Sequence, residues 1–293
     1  MGSVRDNLRR TAELPQSDSA RLDLEVLLGH ILGRGRSWLY AWPEYLLSDR
    51  EQDGFDSLLR RRAGGEPVAY LTGRREFWSL PLEVNASTLI PRPETELLVE
   101  VALELSPQAQ CRALDLGTGS GAIALALAHE RPGWQILAVD KSASAVAMAE
   151  RNRDALGCGN LVLVQSDWFA RVPPETFDLI VSNPPYIDAA DPHLRRGDLR
   201  FEPRSALIAP RRGLADIESI AAGAPEFLAP DGWLVVEHGW QQAPAVRDIF
   251  TRAGLGEVSS RRDYGGRERL TIGRRVAQST ERVHARSRTS PSG

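Results

Sequence analysis

A glycine-rich turn is the first feature of this chain whose residue types and spacing suit chemistry. It lies between a predicted strand and a predicted helix and consists of Asp115, Leu116, Gly117, Thr118, Gly119, Ser120 and Gly121. Closely spaced glycines let the backbone pass under a ligand, and the free amides of the following helix point toward that ligand. Asp140 ends the next predicted strand, 19 residues beyond Gly121, where a carboxylate can accept both ribose hydroxyls. We therefore expect residues 117–121 and Asp140 to bind a cofactor that contains a nucleoside.

The glycine turn alone leaves the cofactor open. Gly117, Gly119 and Ala122 also satisfy the pattern with which dehydrogenases bind a nicotinamide dinucleotide. Asp115 before the first glycine and Gly121 as a third glycine favour S-adenosylmethionine. A second motif is needed to decide between these two cofactors.

That motif is Asn183-Pro184-Pro185-Tyr186, directly after a predicted strand that ends at Ser182. Two prolines cannot continue a strand ladder, so they predict a rigid turn at the carboxyl edge of the sheet, where such sheets bind ligands. The Asn183 side-chain carbonyl and the Pro184 backbone carbonyl are acceptors for the two hydrogens of a planar NH2 group. Tyr186 is expected to stack on that group or to wall it.

The chemistry that fits two fixed acceptors is methylation of an amide nitrogen. Such a nitrogen is a poor nucleophile because its lone pair is delocalised into the carbonyl group. Acceptors on both hydrogens orient the nitrogen toward a sulfonium methyl group and draw electron density onto it. We therefore expect direct transfer without a strong base, a covalent intermediate or a metal ion.

With these motifs, the chain resembles the peptide-chain-release-factor glutamine methyltransferases from about Ala20 to Arg275. Besides the glycine turn, the matching segments are Gly73-Arg-Arg-Glu76-Phe77, Leu89-Ile-Pro-Arg-Pro-Glu-Thr-Glu96, Ser166-Asp-Trp-Phe169, Ser182-Asn-Pro-Pro-Tyr-Ile187, Phe201-Glu-Pro203 and Asp263-x-x-Gly266-Arg267. The Pro-Arg-Pro-Glu-Thr-Glu and Asn-Pro-Pro-Tyr-Ile pair is highly specific, whereas Asn-Pro-Pro-Tyr alone also occurs in adenine methyltransferases.

The resemblance implies a fold, a cofactor and a substrate. The fold is an α/β class I adenosylmethionine-dependent methyltransferase, Rossmann-like with a mostly parallel sheet, preceded by a small helical domain. S-adenosylmethionine binds to the glycine turn and Asp140, with Trp168 beside its adenine and Asp167 as a hydrogen-bond partner. Residues Asn183 to Tyr186 hold the glutamine of a Gly-Gly-Gln loop in a release factor.

Two features depart from the usual pattern of this family. His238 stands in Glu237-His238-Gly239 where an aliphatic residue is usual, and a tail rich in Ser, Thr and Arg follows Arg275. We expect His238 to pack or cap locally rather than to act as a base. The tail, residues 276–293, is predicted to be disordered.

The elements around these motifs predict three regions. Residues 1–74 contain an amphipathic helix with a stripe at Leu24, Leu27, Leu28 and Ile31 and a second helix that starts at the capping box of Ser48, and they form a predicted substrate-recognition domain. Residues 75–96 read as a hairpin and connector. Strands and helices alternate over residues 97–275, the predicted catalytic domain, with an antiparallel pair at the sheet edge near residues 257–260 and 269–272.

Composition narrows the class of protein. The chain has 293 residues and a net charge of −3, so no global positive field points to a nucleic-acid partner. Its two cysteines, Cys111 and Cys158, indicate neither a disulfide framework nor a zinc site. The amino terminus is polar and no stretch is apolar enough to span a membrane, so we expect a cytoplasmic monomer that needs no membrane or nucleic acid.

Three alternatives stay open at this point. An adenine methyltransferase would act on a planar NH2 of similar geometry, but it needs a basic groove for a flipped base. A glutamine in a ribosomal protein would undergo the same chemistry. A non-catalytic interaction module with this fold would fail to bind S-adenosylmethionine.

Overall fold

A computed structural model describes residues 2–195 and 197–276. The amino-terminal part is helical, with α1 (Val4–Leu8), α2 (Ala20–Leu32), α3 (Arg36–Ala41), α4 (Asp49–Ala63) and α5 (Val68–Thr72). The predicted stripe of α2 is buried at Leu24, Leu27 and Leu28. At the start of α4, Ser48 and Glu51 form the expected capping box. These helices share a hydrophobic core of their own, which contains only residues between Val4 and Leu71.

A short hairpin follows the helical part. Its strands are β1 (Arg74–Phe77) and β2 (Leu80–Glu83), which pair antiparallel. The two turn residues, Trp78 and Ser79, have φ of 53° and 57°, the left-handed conformation that matches the twist of a two-residue hairpin. Phe77, Leu80 and Leu82 belong to the core of the α/β part. By packing, the hairpin is therefore a part of the α/β domain.

The α/β part contains one seven-stranded sheet. Its strands are β3 (Arg112–Leu116), β4 (Gln135–Asp140), β5 (Leu161–Gln165), β6 (Phe177–Ser182), β7 (Leu228–Glu237), β8 (Leu255–Arg262) and β9 (Glu268–Arg275). Their order is β5-β4-β3-β6-β7-β9-β8. The first five strands in that order pair parallel, whereas β9 pairs antiparallel with both β7 and β8. The mostly parallel sheet and its antiparallel edge are confirmed.

Helices cover both faces of this sheet. They are α6 (Glu96–Leu105), α7 (Ala122–Glu130), α8 (Ala143–Leu156), a single irregular turn α9 (Pro210–Gly213), α10 (Ala215–Phe227) and α11 (Ala243–Arg252). Successive residues of one strand enter opposite cores: Ala113 packs with α6 and α7, and Leu114 packs with α10 and α11. Because both faces are covered, the strands are almost continuously apolar.

The segment between β6 and β7 shows no clear hydrophobic periodicity in the sequence. It forms short 3-10 turns at Pro192–Arg195, Gly197–Phe201 and Arg204–Ala206 before α9 and α10. Ile187 pairs with Ile208, so this segment returns alongside the Asn-Pro-Pro-Tyr turn. None of the helices in the described residues is both long and apolar enough to cross a membrane. Most of the predicted disordered tail, residues 277–293, lies outside the described part of the chain.

Candidate functional site

A cavity of about 480 Å³ opens at the carboxyl ends of β3, β4 and β6. Most of the residues singled out in the sequence line it: Gly117, Thr118, Gly119, Ser120, Asp140, Asp167, Trp168, Asn183 and Pro185. Parallel strands bring their carboxyl ends to one edge, so motifs far apart in sequence meet there. The sequence motifs and the cavity therefore coincide.

The glycine turn is held from below by β4 and by a buried acid. The amides of Gly117 and Thr118 both donate to the Val139 carbonyl at 2.9 Å. The Thr118 hydroxyl donates to Asp115 Oδ2 at 2.7 Å. Burial raises the pKa of Asp115 to about 7, partly offset by the Thr118 hydrogen bond. Asp115 thus supports the turn from the core.

Asp140 presents an oriented carboxyl group to the cavity. Its Oδ2 accepts from the Gly119 amide at 2.9 Å and its Oδ1 accepts from the Ser142 amide at 2.8 Å. Burial raises its pKa, and these two hydrogen bonds oppose that rise. A carboxylate has about four acceptor positions, so two remain for a ribose.

An aromatic ring and an ion pair stand at the far side of the glycine turn. Trp168 has φ of 46°, and a Cβ added to Gly117 would lie only 3.3 Å from its ring. Asp167 is paired with Lys141 at 2.7 Å. The ring face and this charge pair border the same cavity, where they are placed to contact a planar base.

The Asn-Pro-Pro-Tyr turn is fixed at both ends. Asn183 Nδ2 donates to the Thr95 hydroxyl at 3.1 Å, so the side-chain carbonyl is the face of the amide left for another partner. The Tyr186 hydroxyl donates to Glu237 Oε1 at 3.1 Å, and Gln242 donates to the Tyr186 carbonyl at 3.0 Å. The turn therefore has little freedom to reorient.

Three residues named in the sequence do not line the cavity. Gly121 has φ of 86° and packs against α7 and α8: an added Cβ would lie 3.0 Å from Leu125 and 3.1 Å from Ala149. Its expected contact with a cofactor stays a prediction. Pro184 is buried, and the Tyr186 hydroxyl is directed to Glu237. The expectation that these two residues touch the substrate stays a prediction.

Several residues at the site received no role from the sequence. Glu202 is buried, accepts from the Ile90 amide at 3.1 Å and is ion-paired with Arg92, so it joins the Pro-Arg-Pro segment to the loop after β6. Thr95 and Glu237 flank the Asn183 turn. Glu202 and Thr95 lie inside the motifs Phe201-Glu-Pro203 and Pro-Arg-Pro-Glu-Thr-Glu. Their position in these motifs is the sequence feature that could have indicated a role at the site.

His238 is fully buried beside the site. One ring nitrogen lies 2.9 Å from the Thr271 hydroxyl and the other lies 2.9 Å from the Gly239 carbonyl. Burial lowers its pKa. The side chain packs locally, as expected. In residues 2–195 and 197–276, no group of His, Cys, Asp and Glu side chains is arranged to hold a metal ion.

The fold and this site together define an α/β class I methyltransferase. The chain matches the families described as PrmC N-terminal domain over residues 9–73 and methyltransferase small domain over residues 93–196. A methyltransferase from Pyrococcus furiosus has a similar fold, with a TM-score of 0.52 and 19% identity over 68% of this chain and 90% of that one. The rRNA methyltransferase RsmC of Thermus thermophilus, solved with AdoMet and guanosine, gives a TM-score of 0.50 and 17% identity over 69% of this chain and 49% of that one.

Curated relatives narrow the class to one family. The release factor glutamine methyltransferase of Salmonella typhimurium is 55% identical over 262 residues, 89% of this chain and 95% of that protein. The protein of the same name from Escherichia coli is 53% identical over 263 residues, 90% of this chain and 95% of that protein. The chain belongs to the release factor glutamine methyltransferase family.

Proposed function

We propose that this enzyme transfers a methyl group from S-adenosylmethionine to the side-chain amide nitrogen of the glutamine in a Gly-Gly-Gln motif of a peptide chain release factor. The observation that carries the proposal is the orientation of Asn183. Asn183 lines the cavity and its NH2 group donates one hydrogen bond to Thr95, so we assign its carbonyl to the substrate amide. That arrangement accepts hydrogens, which is what a substrate amide presents.

The residues of the cavity fit S-adenosylmethionine. The cavity volume of about 480 Å³ falls within the range of small-molecule sites. Asp140 faces it with two backbone hydrogen bonds and free acceptor positions, and the Trp168 ring lies across Gly117. We assign the ribose to Asp140, the adenine to Trp168 with Asp167, and the methionine portion to the glycine turn beside Asn183. When bound, this cofactor supplies an electrophilic methyl group on a sulfonium sulfur.

The chain's own residues then orient the acceptor. Asn183 and the Pro184 carbonyl hold the two hydrogens of the target NH2, which fixes the direction of the nitrogen lone pair. Pro185 borders the cavity and limits the motion of the planar group. Preorganised acceptors of this kind act on the transition state without reorganisation. As the nitrogen gains the methyl group it must lose one of its two hydrogens as a proton, which becomes strongly acidic at that stage and passes along one of these hydrogen bonds to solvent, so no strong base is needed.

We assign recognition of the release factor to the helical domain. Its surface exposes Tyr40, Trp42, Tyr45 and Leu46, and Trp42 is 61% exposed. Exposed aromatic side chains are characteristic anchors of protein interfaces. The domain reaches the catalytic cavity directly, because the Tyr70 hydroxyl donates to the carbonyl of the cavity residue Thr88 at 2.7 Å. A protein bound to this surface could therefore present a loop to the site.

The test is incubation of the enzyme with labelled S-adenosylmethionine and purified release factors, followed by peptide mass mapping. We expect one methyl group on the Gly-Gly-Gln glutamine. Parallel reactions with ribosomal proteins and with adenine-containing DNA test the two other acceptors. Label on either of these, with none on release factors, would refute the assignment of substrate.

A further inference from the structure

A buried hydroxyl and a buried carboxyl group connect the two ends of the Asn-Pro-Pro-Tyr turn. Glu237, at the end of β7, is 3% exposed, and its Oε1 accepts from the Tyr186 hydroxyl at 3.1 Å. Thr95, just before α6, is 4% exposed, and its hydroxyl accepts from Asn183 Nδ2 at 3.1 Å. The first and last residues of the turn are therefore held by two neighbouring side chains that the methyl transfer itself does not use.

The direction of the Thr95 hydrogen decides which face of Asn183 is available. A hydroxyl has one donor and two acceptor positions. While Thr95 donates elsewhere, it can only accept from Asn183, so the Asn183 carbonyl is left for the substrate. If Thr95 donated to Asn183, the amide would turn over and offer its NH2 group, which cannot hold the hydrogens of a target NH2.

Glu237 is the acceptor that can fix this direction. Its Oε2 is buried and has no hydrogen-bond partner within the described residues. The Thr95 and Tyr186 hydroxyls both lower the pKa of this carboxyl group, in opposition to burial, which raises it to about 7. A buried carboxylate oxygen without a donor is costly. No Thr95–Glu237 hydrogen bond is formed within the described residues, but the Thr95 hydroxyl is close enough to lower the pKa of this carboxyl group, and donation from it would supply the partner that Oε2 lacks.

We infer that Thr95 and Glu237 are positioning residues for methyl transfer: Glu237 orients the Thr95 hydroxyl, which holds the Asn183 amide with its carbonyl toward the target nitrogen. The turnover measurements that test this inference rest on the proposed function. The inference assigns no bond making or breaking to either residue. Tyr186 already donates to the Glu237 carboxyl group, and the inferred Thr95 hydrogen bond would connect Asn183 to it as well.

The inference predicts a dependence on pH. The ionised Glu237 accepts from Thr95, whereas the protonated acid can donate to Thr95 and free its hydroxyl to turn toward Asn183. Turnover should therefore rise with pH through about 7, as the carboxylate forms. The charged groups that face Glu237 are Arg269, which favours the carboxylate and is itself paired with Asp263, and Glu94, which opposes it.

The first test compares Thr95→Val with Thr95→Ser in the full-length enzyme. Valine keeps the shape and removes the hydroxyl, whereas serine keeps the hydroxyl. We expect Thr95→Val to lower kcat about tenfold or more, since one oriented hydrogen bond is lost, and to leave the calorimetric Kd of S-adenosylmethionine within about threefold. Thr95→Ser should recover most of the lost turnover. Equal kcat values for the two variants would overturn the inference.

The second test measures kcat against pH for the wild type and Glu237→Gln. It is run at saturating S-adenosylmethionine, so that ionisation of Asp115, a second buried carboxyl group whose pKa is raised to about 7, does not affect the rate through cofactor binding. Glu237→Gln should lose the rise near pH 7 that the wild type shows. A rise that persists in this variant would contradict the role of Glu237. Circular dichroism and cofactor binding establish that the variant is folded.

A third measurement requires no turnover. With asparagine labelled with 15N, the side-chain NH2 signals of Asn183, assigned by their loss in Asn183→Ala, should shift with pH near 7 in the wild type and stay constant in Glu237→Gln. Signals that do not respond to pH in the wild type would overturn the inference. Failure of the wild type to methylate release factors would instead refute the proposed function. The NMR measurement would then still test whether Glu237 orients Asn183 through Thr95.

Discussion

At the scale of single residues, Asn183 has the most specific proposed task. Its NH2 group donates to Thr95, and the residue lines the cavity, where we assign its carbonyl to the target amide. We expect Asn183→Ala to lower the rate of methyl transfer by about a hundred- to a thousandfold, because one preorganised acceptor is lost in the transition state. Binding of S-adenosylmethionine should weaken only modestly. Turnover on a release factor at saturating cofactor measures the first effect, and calorimetry measures the second.

Asn183→Asp distinguishes two roles of the same side chain. It keeps the shape and an acceptor oxygen, but it replaces the NH2 group that donates to Thr95 and adds a negative charge. Substantial turnover would show that acceptance alone suffices, whereas an inactive variant would show that the neutral amide is required. Near-normal turnover of Asn183→Ala would contradict the mechanism itself.

Asp140 is the residue on which the cofactor assignment depends. Removing it deletes the acceptor that we assign to the ribose and also the partner of the Gly119 and Ser142 amides. A hydrogen bond to a charged acceptor contributes about 1.5–3 kcal/mol, so Asp140→Ala should raise the Kd of S-adenosylmethionine about ten- to a hundredfold. Asp154→Ala, which removes an exposed carboxylate of helix α8, is the matched control for charge. An unchanged Kd, or tight binding of a nicotinamide dinucleotide, would refute the assignment.

At the scale of elements, the site depends on how closely the turn before α10 approaches the Asn-Pro-Pro-Tyr turn. Gly213 has φ of 82°, and a Cβ there would lie 1.9 Å from the Tyr186 carbonyl oxygen. Gln242, directly before α11, donates to the carbonyls of both Tyr186 and Arg212 at 3.0 Å. The turn before α10 and the start of α11 therefore both lie against the Tyr186 carbonyl.

Gly213→Ala should consequently displace the Tyr186 backbone and lower turnover. Gly157, the residue that ends α8, is the matched control, because it has φ of 68° and no atom within 4 Å of an added Cβ. Gly157→Ala should cost about 1 kcal/mol of unfolding free energy from backbone strain alone and keep its turnover. Thermal unfolding and kcat for both variants separate strain from displacement. Equal turnover of the two variants would argue against the coupling.

At the scale of the whole molecule, the helical domain and the α/β domain have separate hydrophobic cores, and the α/β domain has one on each face of its sheet. The helical domain has its own core, and the hairpin packs into the core of the α/β domain. Polar contacts join the domains: Arg62 pairs with Asp198 at 3.2 Å, and Arg200 donates to the Gly64 carbonyl at 2.6 Å. Because the cavity is built from the α/β domain and its connector, cofactor binding should survive without the helices.

A fragment that begins at Arg74 should therefore bind S-adenosylmethionine and lose activity on a whole release factor. In the full chain, Trp42→Ala should raise KM for the release factor and leave turnover of a short Gly-Gly-Gln peptide unchanged, since that peptide cannot reach the aromatic surface. Full activity of the fragment on the release factor would refute the recognition role. Loss of solubility and of cofactor binding together would indicate that the helices serve only folding.

The sequence by itself determined the class of fold and the location of its chemistry. The hydrophobic periodicity of strands and helices is set by local residue order. The alternation of strands and helices from Ala113 to Ser182 and the capping box at Ser48 can therefore be predicted from the sequence. The glycine turn and Asn-Pro-Pro-Tyr require special backbone conformations, which only a few residue types supply. The site therefore could be placed at the ends of β3, β4 and β6.

Only the tertiary structure decided which of these residues meet and what supports them. Gly121 belongs to the glycine motif, yet it packs against α7 and α8 and does not line the cavity. Glu237, Gln242 and Glu202 lie 51, 56 and 112 residues from the atoms that they hold. The order of the strands in the sheet and the burial of these side chains determine their partners. Both depend on contacts between distant parts of the chain, which local sequence periodicity does not reveal.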